Sequence, residues 1–379
     1  MRQVLVWIPI KTAWFPNGIP IYGYGLMLFF AFVVCTWLAG RRAEKEGIAK
    51  ERIQDLALWL FIGGLLGSRI VFLLSLPPAS RPYHDLVSFL KQLPQIWDGG
   101  VVFYGGAIGG VIGYLLAYAF ILRKEGISTL QLADIVAPSI AVGLCLGRIG
   151  CFLNGCCHGG VACADCPVYA VHFPLAAPVR YDLVRDGYQT AAGFTMAASD
   201  PGQDARVARV EPESPAYRGG LRSGDLIVKA NDCEINSYGD LTRCLATPDA
   251  GGCGKSSGWP RGEAELTLTV LRDDPTEPVQ LSAFAPRTLG VQPTQLYESI
   301  SMALLFWLLT AYYPHRRREG QVMALLMIGY GLHRSLNELL RADAQRPVAF
   351  EIGTSIFLIA AGLALFVWLQ LRPTPYQKA

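Results

Sequence analysis

An arginine and an asparagine six residues apart are the side chains best placed to do chemistry in this sequence. They lie in the otherwise apolar stretch Gly147-Arg148-Ile149-Gly150-Cys151-Phe152-Leu153-Asn154-Gly155. A cation at membrane depth is expensive and needs an anionic partner. Arginine suits a phosphate because its planar guanidinium donates two parallel hydrogen bonds. Two simpler interpretations stay open: Arg148 extends to the membrane surface, or it pairs with a carboxylate on a neighbouring helix.

Other polar residues are predicted at the same depth, at the ends of other apolar stretches. Tyr330, Arg334, Glu338 and Arg341 are spaced three or four residues apart, which puts them on one helical face. Further polar residues begin three other stretches: Tyr24, Tyr104, Gln295, Tyr297 and Glu298. Ionisable residues that converge inside a membrane indicate a substrate site. The alternative is a structural ion-pair network of Arg148, Arg334, Glu298 and Glu338.

The elements that must position these residues are membrane helices. Hydrophobic residues make up 52% of the 379 residues and charged residues only 17%, a composition that excludes an ordinary soluble enzyme. A helix needs roughly 20 apolar residues to cross the hydrocarbon core. Seven stretches come close to that length, at residues 19–39, 56–76, 101–122, 132–153, 296–313, 322–340 and 352–371. The predicted fold class is an α-helical polytopic membrane protein with about seven transmembrane helices.

The basic residues between these stretches predict the orientation in the membrane. The clusters are Arg41-Arg42, Arg123-Lys124, Arg316-Arg317-Arg318, and Arg372 with Lys378 near the end of the chain. All fall on one side, which the positive-inside rule makes cytoplasmic. The N-terminus and residues 154–295 are then periplasmic, and the location is a bacterial inner membrane. We expect no removable signal peptide, because no small-residue cleavage site precedes the first apolar stretch.

A hydrophilic segment between the fourth and fifth stretches is too long for a plain loop and should fold by itself. Its Pro212-Glu213-Ser214-Pro215-Ala216 turn and the later Gly224-Asp225-Leu226-Ile227 entry into a strand resemble PDZ domains of the bacterial envelope. The resemblance covers residues 187–285 and implies an inserted α+β domain, after a connector at 155–186. The membrane domain would comprise 1–154 and 286–379.

PDZ domains bind an extended peptide as an added strand. In this segment Gly193 and Phe194 resemble the loop whose backbone N–H groups hold a peptide C-terminus, so a periplasmic protein or peptide is a predicted partner. The alternative is a spacer or a subunit contact.

The membrane part resembles one family, the bacterial prolipoprotein diacylglyceryl transferases. The resemblance covers nearly the whole chain outside the insertion. The motifs occur in the family's order: Tyr24-Gly25-Leu26-Met27, Gly67-Ser68-Arg69, Gly105-Gly106, Asp134 with Pro138, Gly147-Arg148-Ile149-Gly150, Pro293-Thr294-Gln295-Leu296-Tyr297-Glu298, and Gly329-Tyr330-Gly331 through Arg334, Glu338 and Arg341.

The resemblance implies transfer of the diacylglyceryl group of phosphatidylglycerol to the lipobox cysteine thiol in the signal peptide of a preprolipoprotein. The products would be a thioether and glycerol 1-phosphate, with no cofactor and no metal. Arg148 and Arg334 would stabilise the phosphate, and Glu298 with Glu338 would orient the guanidiniums. The headgroup and peptide would contact the remaining predicted substrate-binding residues: Tyr24, Asn154, Gly105, Gly106, Gln295, Tyr297, Tyr330 and Arg341.

The thiol must also lose its proton, and here the sequence departs from the family. Many members carry a histidine, a candidate base, where this chain has Tyr104. A tyrosine with a pKa of about 10 is a poor base at neutral pH. His158 is one candidate substitute, and the alternative is a lipid-binding scaffold with impaired catalysis that recruits envelope proteins. Cys151 also replaces the family's asparagine.

The cysteines raise the question of disulfides or metal. Ten occur, and seven lie outside the predicted membrane helices: Cys156, Cys157, Cys163, Cys166, Cys233, Cys244 and Cys253. An oxidising compartment favours disulfides, and a bridge from Cys244 to Cys233 or Cys253 is one expectation. Cys156-Cys157 followed by Cys163 and Cys166 imitates a zinc site, because CxxC spacing is typical of metal ligands, but we expect disulfides and no metal. None of the histidines forms the HExxH motif of an intramembrane metalloprotease.

Overall fold

The structure is a computed structural model that describes residues 4–10, 19–77, 81–95, 102–162, 170–174, 177–188, 192–197, 202–231, 233–246, 264–272, 276–284, 287–340 and 348–371. Two compact units divide the chain. The first comprises Met1–Phe29, Cys145–Ser301 and Leu332–Ile356, and the second comprises Phe30–Leu144, Met302–Gly331 and Phe357–Ala379.

The helices and strands follow the apolar pattern of the sequence. The helices are α1 (Gly23–Lys45), α2 (Lys50–Ser75), α3 (Leu86–Gln92), α4 (Phe103–Phe120), α5 (Thr129–Asn154), α6 (Pro178–Arg185), α7 (Pro215–Arg218), α8 (Tyr238–Ala246), α9 (Thr294–Tyr312), α10 (Gln321–Glu338) and α11 (Val348–Leu371), with 3₁₀ turns at Leu122–Glu125 and Tyr313–His315. The strands are β1 (Val4–Ile8), β2 (Ile19–Tyr22), β3 (Phe194–Met196), β4 (Val207–Val210), β5 (Leu226–Ala230), β6 (Cys233–Glu234), β7 (Ala264–Leu271) and β8 (Thr276–Phe284).

Each apolar stretch of the sequence coincides with a long helix, as predicted. Within the described part of the chain, four segments are long and apolar enough to cross a membrane: Gly23–Lys45, Lys50–Ser75, Thr129–Asn154 and Ile352–Leu371. The apolar part of α4 is shorter, at Gly105–Phe120. The chain is therefore a helical membrane protein with four candidate spans.

In the second unit, α2 and α4 pack closely because glycines face each other. A Cβ added at Gly109 would lie 2.0 Å from the Gly63 carbonyl oxygen, and one added at Gly105 would lie 2.4 Å from that of Gly67. Small residues four apart let membrane helices approach at backbone distance. Gly105, a predicted substrate-binding residue, therefore packs directly against the backbone of α2.

The buried carboxylate of Asp134, a residue of α5, caps the N-terminal end of α10 in the same unit. The Asp134 carboxylate accepts hydrogen bonds from the backbone N–H groups of Gly320 at 2.8 Å, Val322 at 2.9 Å and Met323 at 3.0 Å. Those N–H groups have no partner within the helix, so a carboxylate there satisfies them and complements the helix dipole. Asp134 thus caps the start of α10.

In the first unit the inserted segment has its own hydrophobic core and two sheets. β3 pairs with β4, and β6-β5-β7-β8 form an antiparallel sheet. The buried core includes Phe194, Tyr238, Leu241 and Leu268, together with Val184 from α6. Because Val184 belongs to this core, the compact insertion begins earlier than the predicted residue 187.

The disulfides predicted for Cys244 are wrong. Cys244 is a buried free thiol, although its Sγ lies 2.8 Å from that of Cys233, which is disulfide-bonded. Burial raises the pKa of the Cys244 thiol to about 11, so the side chain packs as a small neutral apolar group. Cys163, Cys166 and Cys253 lie outside the described residues.

Candidate functional site

A buried ion pair joins α5 to α9 in the first unit. Nε of Arg148 lies 2.9 Å from Oε1 of Glu298, with side chains that are 18% and 1% exposed. Burial of both groups removes water that would screen them, so the carboxylate holds the guanidinium in a fixed orientation. One interpretation of the sequence was that Arg148 pairs with a carboxylate on a neighbouring helix, and the structure shows this pair. The partner, Glu298, is itself a predicted site residue.

A second arginine–carboxylate pair lies on α10. Nη2 of Arg334 is 3.0 Å from Oε2 of Glu338 one turn later, and both side chains are largely buried. The side-chain amide of Asn337 donates to Oε2 of Glu298 at 3.1 Å, so α10 also contacts the first pair. Asn337 was not a predicted site residue, because a single amide next to Glu338 carries no signal of its own in the sequence.

The chain turns sharply after Asn154, and α9 holds the turn. Gln295, which is 1% exposed, donates through Nε2 to the Cys156 carbonyl at 2.7 Å. The Thr294 hydroxyl donates to the Cys157 carbonyl at 3.0 Å. Both side chains, including that of Gln295, which is predicted to bind substrate, therefore hold the backbone of the loop.

His158 is held rigidly in the connector and is not a free base. Its Nδ1 lies 2.9 Å from the Gly159 carbonyl and its Nε2 lies 3.3 Å from Oδ2 of Asp182. Asp182 also pairs with Arg185 at 3.3 Å. Because both ring nitrogens are engaged and the residue is 2% exposed, the structure gives no support to His158 as the group that accepts the thiol proton.

The remaining predicted site residues are distributed as follows. Tyr24 begins α1 and is 38% exposed; a Cβ added at Gly150 would lie 3.2 Å from its ring. Asn154 ends α5, and Tyr297 lies in the first turn of α9. Tyr330 and Gly106 belong to the second unit. The Tyr104 side chain and Arg341 lie outside the described residues.

The predicted carboxylate loop of the insertion is tightly packed. Phe194 is 1% exposed and belongs to the core. Gly193 has φ +83, and a Cβ there would lie 2.2 Å from that of Ser214, so only glycine fits. Its carbonyl accepts from the Glu211 N–H at 2.9 Å. The Phe194 side chain therefore packs in the core of the insertion.

The edge of β3 that a peptide would join is already paired within the chain. Tyr188 forms a bridge with Thr195, and the Tyr238 hydroxyl of α8 donates to the carbonyls of Val184 and Arg185. The end of α6 thus lies where an added strand would run between β3 and α8. Arg180 on α6 is buried as well, and burial lowers its pKa to about 9.

Arg148 of α5 and Arg334 of α10 are each paired with a buried carboxylate, and Asn337 of α10 donates to the carboxylate that holds Arg148. This arrangement suits an anion, because a guanidinium whose orientation is fixed keeps N–H donors for phosphate oxygens. The structure is that of a helical membrane protein in which two arginines are paired with buried carboxylates. The sequence matches the prolipoprotein diacylglyceryl transferase family over residues 12–368, and the chain belongs to that family.

Named relatives agree with this assignment. A Rhodopirellula baltica protein named phosphatidylglycerol--prolipoprotein diacylglyceryl transferase is 30% identical over 408 residues, covering 97% of this chain and 76% of the relative. Proteins of the same name from Yersinia pestis and Yersinia pseudotuberculosis are 27% identical over 368 residues, covering 94% of this chain and 92% of each relative.

Proposed function

We infer that this chain transfers the diacylglyceryl group of phosphatidylglycerol to the lipobox cysteine thiol of preprolipoproteins, forming a thioether and releasing glycerol 1-phosphate. Family membership supports the reaction. The observation that carries it at the site is the buried pair of Arg148 and Glu298 at 2.9 Å. The scaffold alternative is not favoured, since the relatives are named as transferases.

The reaction breaks the bond between a glyceryl carbon and a phosphate oxygen. Negative charge grows on the departing phosphate, and we propose that Arg148 and Arg334 stabilise it. A fixed cation in a site that excludes water lowers the barrier, because it pays no reorganisation cost as the charge develops. Glu298 and Glu338 orient the two guanidiniums, and Asn337 holds Glu298 by its 3.1 Å hydrogen bond.

We propose that Tyr24, Asn154 and Tyr330 bind the glycerol headgroup, and that Tyr297 and Arg341 complete the substrate site. Tyr104 then orients substrate rather than accepting a proton, because the pKa of a tyrosine is ordinarily about 10.

We further propose that seven helices cross a bacterial inner membrane, with the N-terminus and the insertion in the periplasm and the C-terminus in the cytoplasm. The apolar outer face of α9 supports a span beyond the four candidates. Leu304, Trp307 and Leu308 are 64%, 67% and 59% exposed, and so large an apolar surface on a helix suits lipid. The positions of the basic clusters support the orientation.

The insertion is proposed to be a PDZ-like periplasmic domain that captures a preprolipoprotein or a partner protein. The pairing of Tyr188 with Thr195 means that a peptide must displace the end of α6 to join β3. Deletion of residues 187–285 should then raise the KM for a lipoprotein substrate while leaving kcat unchanged. Unchanged kinetics with every substrate, and unchanged partners in a pull-down, would count against this role.

The transferase assignment is tested with purified protein in phosphatidylglycerol vesicles and a lipobox peptide. We expect a thioether-linked peptide by mass spectrometry and one glycerol 1-phosphate per product. Vesicles of phosphatidylethanolamine and a peptide with serine for the lipobox cysteine are the controls. If no thioether forms under conditions in which a related enzyme works, the assignment is wrong.

A further inference from the structure

Three thiols gather at the C-terminal end of α5, directly beside the proposed site. The Sγ atoms of Cys151, Cys156 and Cys157 all lie within 4.8 Å of one another, and the three residues are half-buried. All three are free cysteines, so the expectation of disulfides is wrong for Cys156 and Cys157. Neither the proposed phosphate contacts nor the helix packing explains this cluster.

The backbone turn that brings them together is built for close approach. Gly155 has φ +76, a left-handed conformation that glycine adopts at a helix end without steric cost. The N–H of Cys156 then donates back to the Cys151 carbonyl at 3.1 Å, the bond that folds the chain over the last turn of the helix. The backbone of Cys156 therefore folds back over the last turn of α5, next to Cys151.

Cys157 completes the cluster through a strained backbone. Its φ is 59, a region that residues other than glycine, asparagine and aspartate seldom adopt and that costs on the order of 1 kcal/mol. The carbonyls of Cys156 and Cys157 are each held by a side chain of α9, at 2.7 and 3.0 Å. The loop is thus fixed by its backbone, while its thiols face one another.

Such a set of thiols has the chemistry of a soft metal site. Zinc binds cysteine sulfur at about 2.3 Å, so tetrahedral ligands lie about 3.8 Å apart, within the spacing limit of the cluster. Sites with three protein ligands and an open fourth position are catalytic in type, whereas structural zinc sites have four protein ligands. Three clustered cysteines therefore leave one position for an outside ligand.

We propose that Cys151, Cys156 and Cys157 bind a soft divalent metal such as Zn²⁺, whose fourth position takes the lipobox thiol of the substrate. The second half of this proposal rests on the proposed function. A metal-bound thiol is deprotonated at neutral pH, so the site would supply the nucleophilic thiolate that Tyr104 is unsuited to generate. Metal coordination is one of the general ways in which a nucleophile is activated.

The position of the cluster fits that role. Cys151 lies three residues after Arg148, so the two are neighbours on one face of α5. The Tyr24 ring lies beside the same part of α5, since a Cβ added at Gly150 would lie 3.2 Å from it. A glyceryl carbon would therefore lie between a thiolate at the cluster and a phosphate at Arg148, the in-line arrangement that displacement at a saturated carbon requires.

The chemical balance is simple. The substrate thiol gives its proton to water as it binds the metal, and its sulfur keeps the electron pair. That pair forms the bond to the glyceryl carbon, while the carbon–oxygen bond breaks and its electrons leave with the phosphate. Nothing is oxidised or reduced. The neutral thioether is a weaker ligand than the thiolate, which favours product release.

Metal binding is tested on the full-length protein without reference to activity. Co²⁺ is titrated into metal-free protein, and thiolate-to-cobalt charge-transfer absorption is recorded; we expect one equivalent, displaced by Zn²⁺. Cys151→Asn and Cys157→Gly should lose the absorption. Cys157→Gly should fold, because glycine suits the φ of 59 at 157. Cys35→Ser, which removes a half-buried free thiol elsewhere, should retain it.

No thiolate absorption in the wild type, its persistence in both cluster variants, or a native disulfide among the three cysteines would overturn the proposal. The catalytic half has its own readouts. A lipobox peptide should shift the cobalt spectrum, and a serine peptide should not. Cys157→Gly should lose at least tenfold in kcat at neutral pH and recover as pH approaches the thiol pKa of about 8.5.

Two further outcomes separate this inference from the transferase assignment. If the wild type binds Co²⁺ through thiolates yet makes no thioether, the proposed function fails and the metal site stands. If thioether forms and Cys157→Gly retains full activity at neutral pH, the transferase assignment stands and the catalytic role of the metal is wrong.

Discussion

At the scale of single residues, the site depends on carboxylates that hold arginines. Glu298 is 1% exposed and Asn337 is 3% exposed, so their hydrogen bond is shielded from water. Loss of one partner of a buried charged group leaves the other unsatisfied, at a cost of about 1–3 kcal/mol. Asn337 is therefore a positioning residue that acts on Arg148 through Glu298.

We predict that Asn337→Ala lowers kcat by about tenfold to a hundredfold, the equivalent of that cost. The KM for the peptide should change little, because Asn337 acts on the orientation of Arg148. Steady-state kinetics in phosphatidylglycerol vesicles measure both. Leu336→Ala, at a neighbouring position that is 60% exposed, is the control and should behave as the wild type. Equal kcat in the two variants would contradict the positioning role.

At the scale of elements, glycine contacts set the distance between α2 and α4. Gly109 faces the Gly63 carbonyl, whereas Gly110 has nothing within 4 Å of an added Cβ. An added side chain would therefore clash at Gly109 but meet no atoms at the adjacent Gly110. The same geometry explains why Gly105 looked like a ligand contact in the sequence: helix packing and ligand approach both need a missing side chain.

We predict that Gly109→Ala separates α2 from α4 and lowers the Tm of the detergent-solubilised protein by several degrees, since overpacking costs about 1–3 kcal/mol. Gly110→Ala is the matched control and should leave the Tm unchanged or slightly raised, because alanine favours a helix. Equal Tm values for the two variants would contradict this role of the glycine contacts.

Within the insertion, an arginine–aspartate pair joins the residue before β5 to the residue after β7. Arg272 donates to both carboxylate oxygens of Asp225, at 2.9 and 2.6 Å. Burial alone would raise the pKa of Asp225, but the hydrogen bonds and charge of Arg272 hold the pKa below its usual value. Its stabilising effect is therefore present above the unfolded-state pKa of about 3.9 and is lost as pH falls through the lower folded-state value.

We predict that Asp225→Asn destabilises the insertion by about 2 kcal/mol at neutral pH, and that this difference shrinks as pH falls below about 4. Hydrogen exchange of β5 and β7 in the full-length protein measures it. Glu234→Gln, at an exposed position of β6, is the control. A difference from the wild type that stays constant from neutral to acid pH would contradict the assignment.

At the scale of the whole molecule, the long apolar helices could be predicted from sequence because membrane thickness fixes their length. The pairing of Tyr188 with Thr195 and the place of Val184 in the core could not, because both join segments whose contact depends on the folded insertion. Similarly, cysteine spacing predicted disulfides for Cys244. Its burial as a free thiol follows from packing that spacing does not encode.

In the candidate site, too, some residues could be predicted from the sequence and others could not. Arg148, Glu298, Arg334 and Glu338 could be identified because charges are costly in apolar stretches, and the structure pairs them. The thiol cluster was not predicted as a unit, because its assembly depends on the left-handed turn at Gly155 and on carbonyl anchors from α9.

The proposed topology predicts where a reporter is active. Alkaline phosphatase, which needs an oxidising compartment, should be active when inserted at the exposed turn of Gly202 and inactive when fused to the C-terminus. Green fluorescent protein at the C-terminus should fluoresce and serves as the control. The opposite pattern would reverse the membrane orientation and move the proposed site to the cytoplasmic side.

The central claim is that Arg148 stabilises the departing phosphate, and single-turnover transfer by an Arg148 series tests it most directly. In phosphatidylglycerol vesicles, Arg148→Ala should slow thioether formation at least about a hundredfold, the scale for losing a charged donor in a transition state. Arg148→Lys should fall between Arg148→Ala and the wild type, because it keeps the charge without the bidentate fork. A folded Arg148→Ala protein that forms thioether at the wild-type rate would contradict the account.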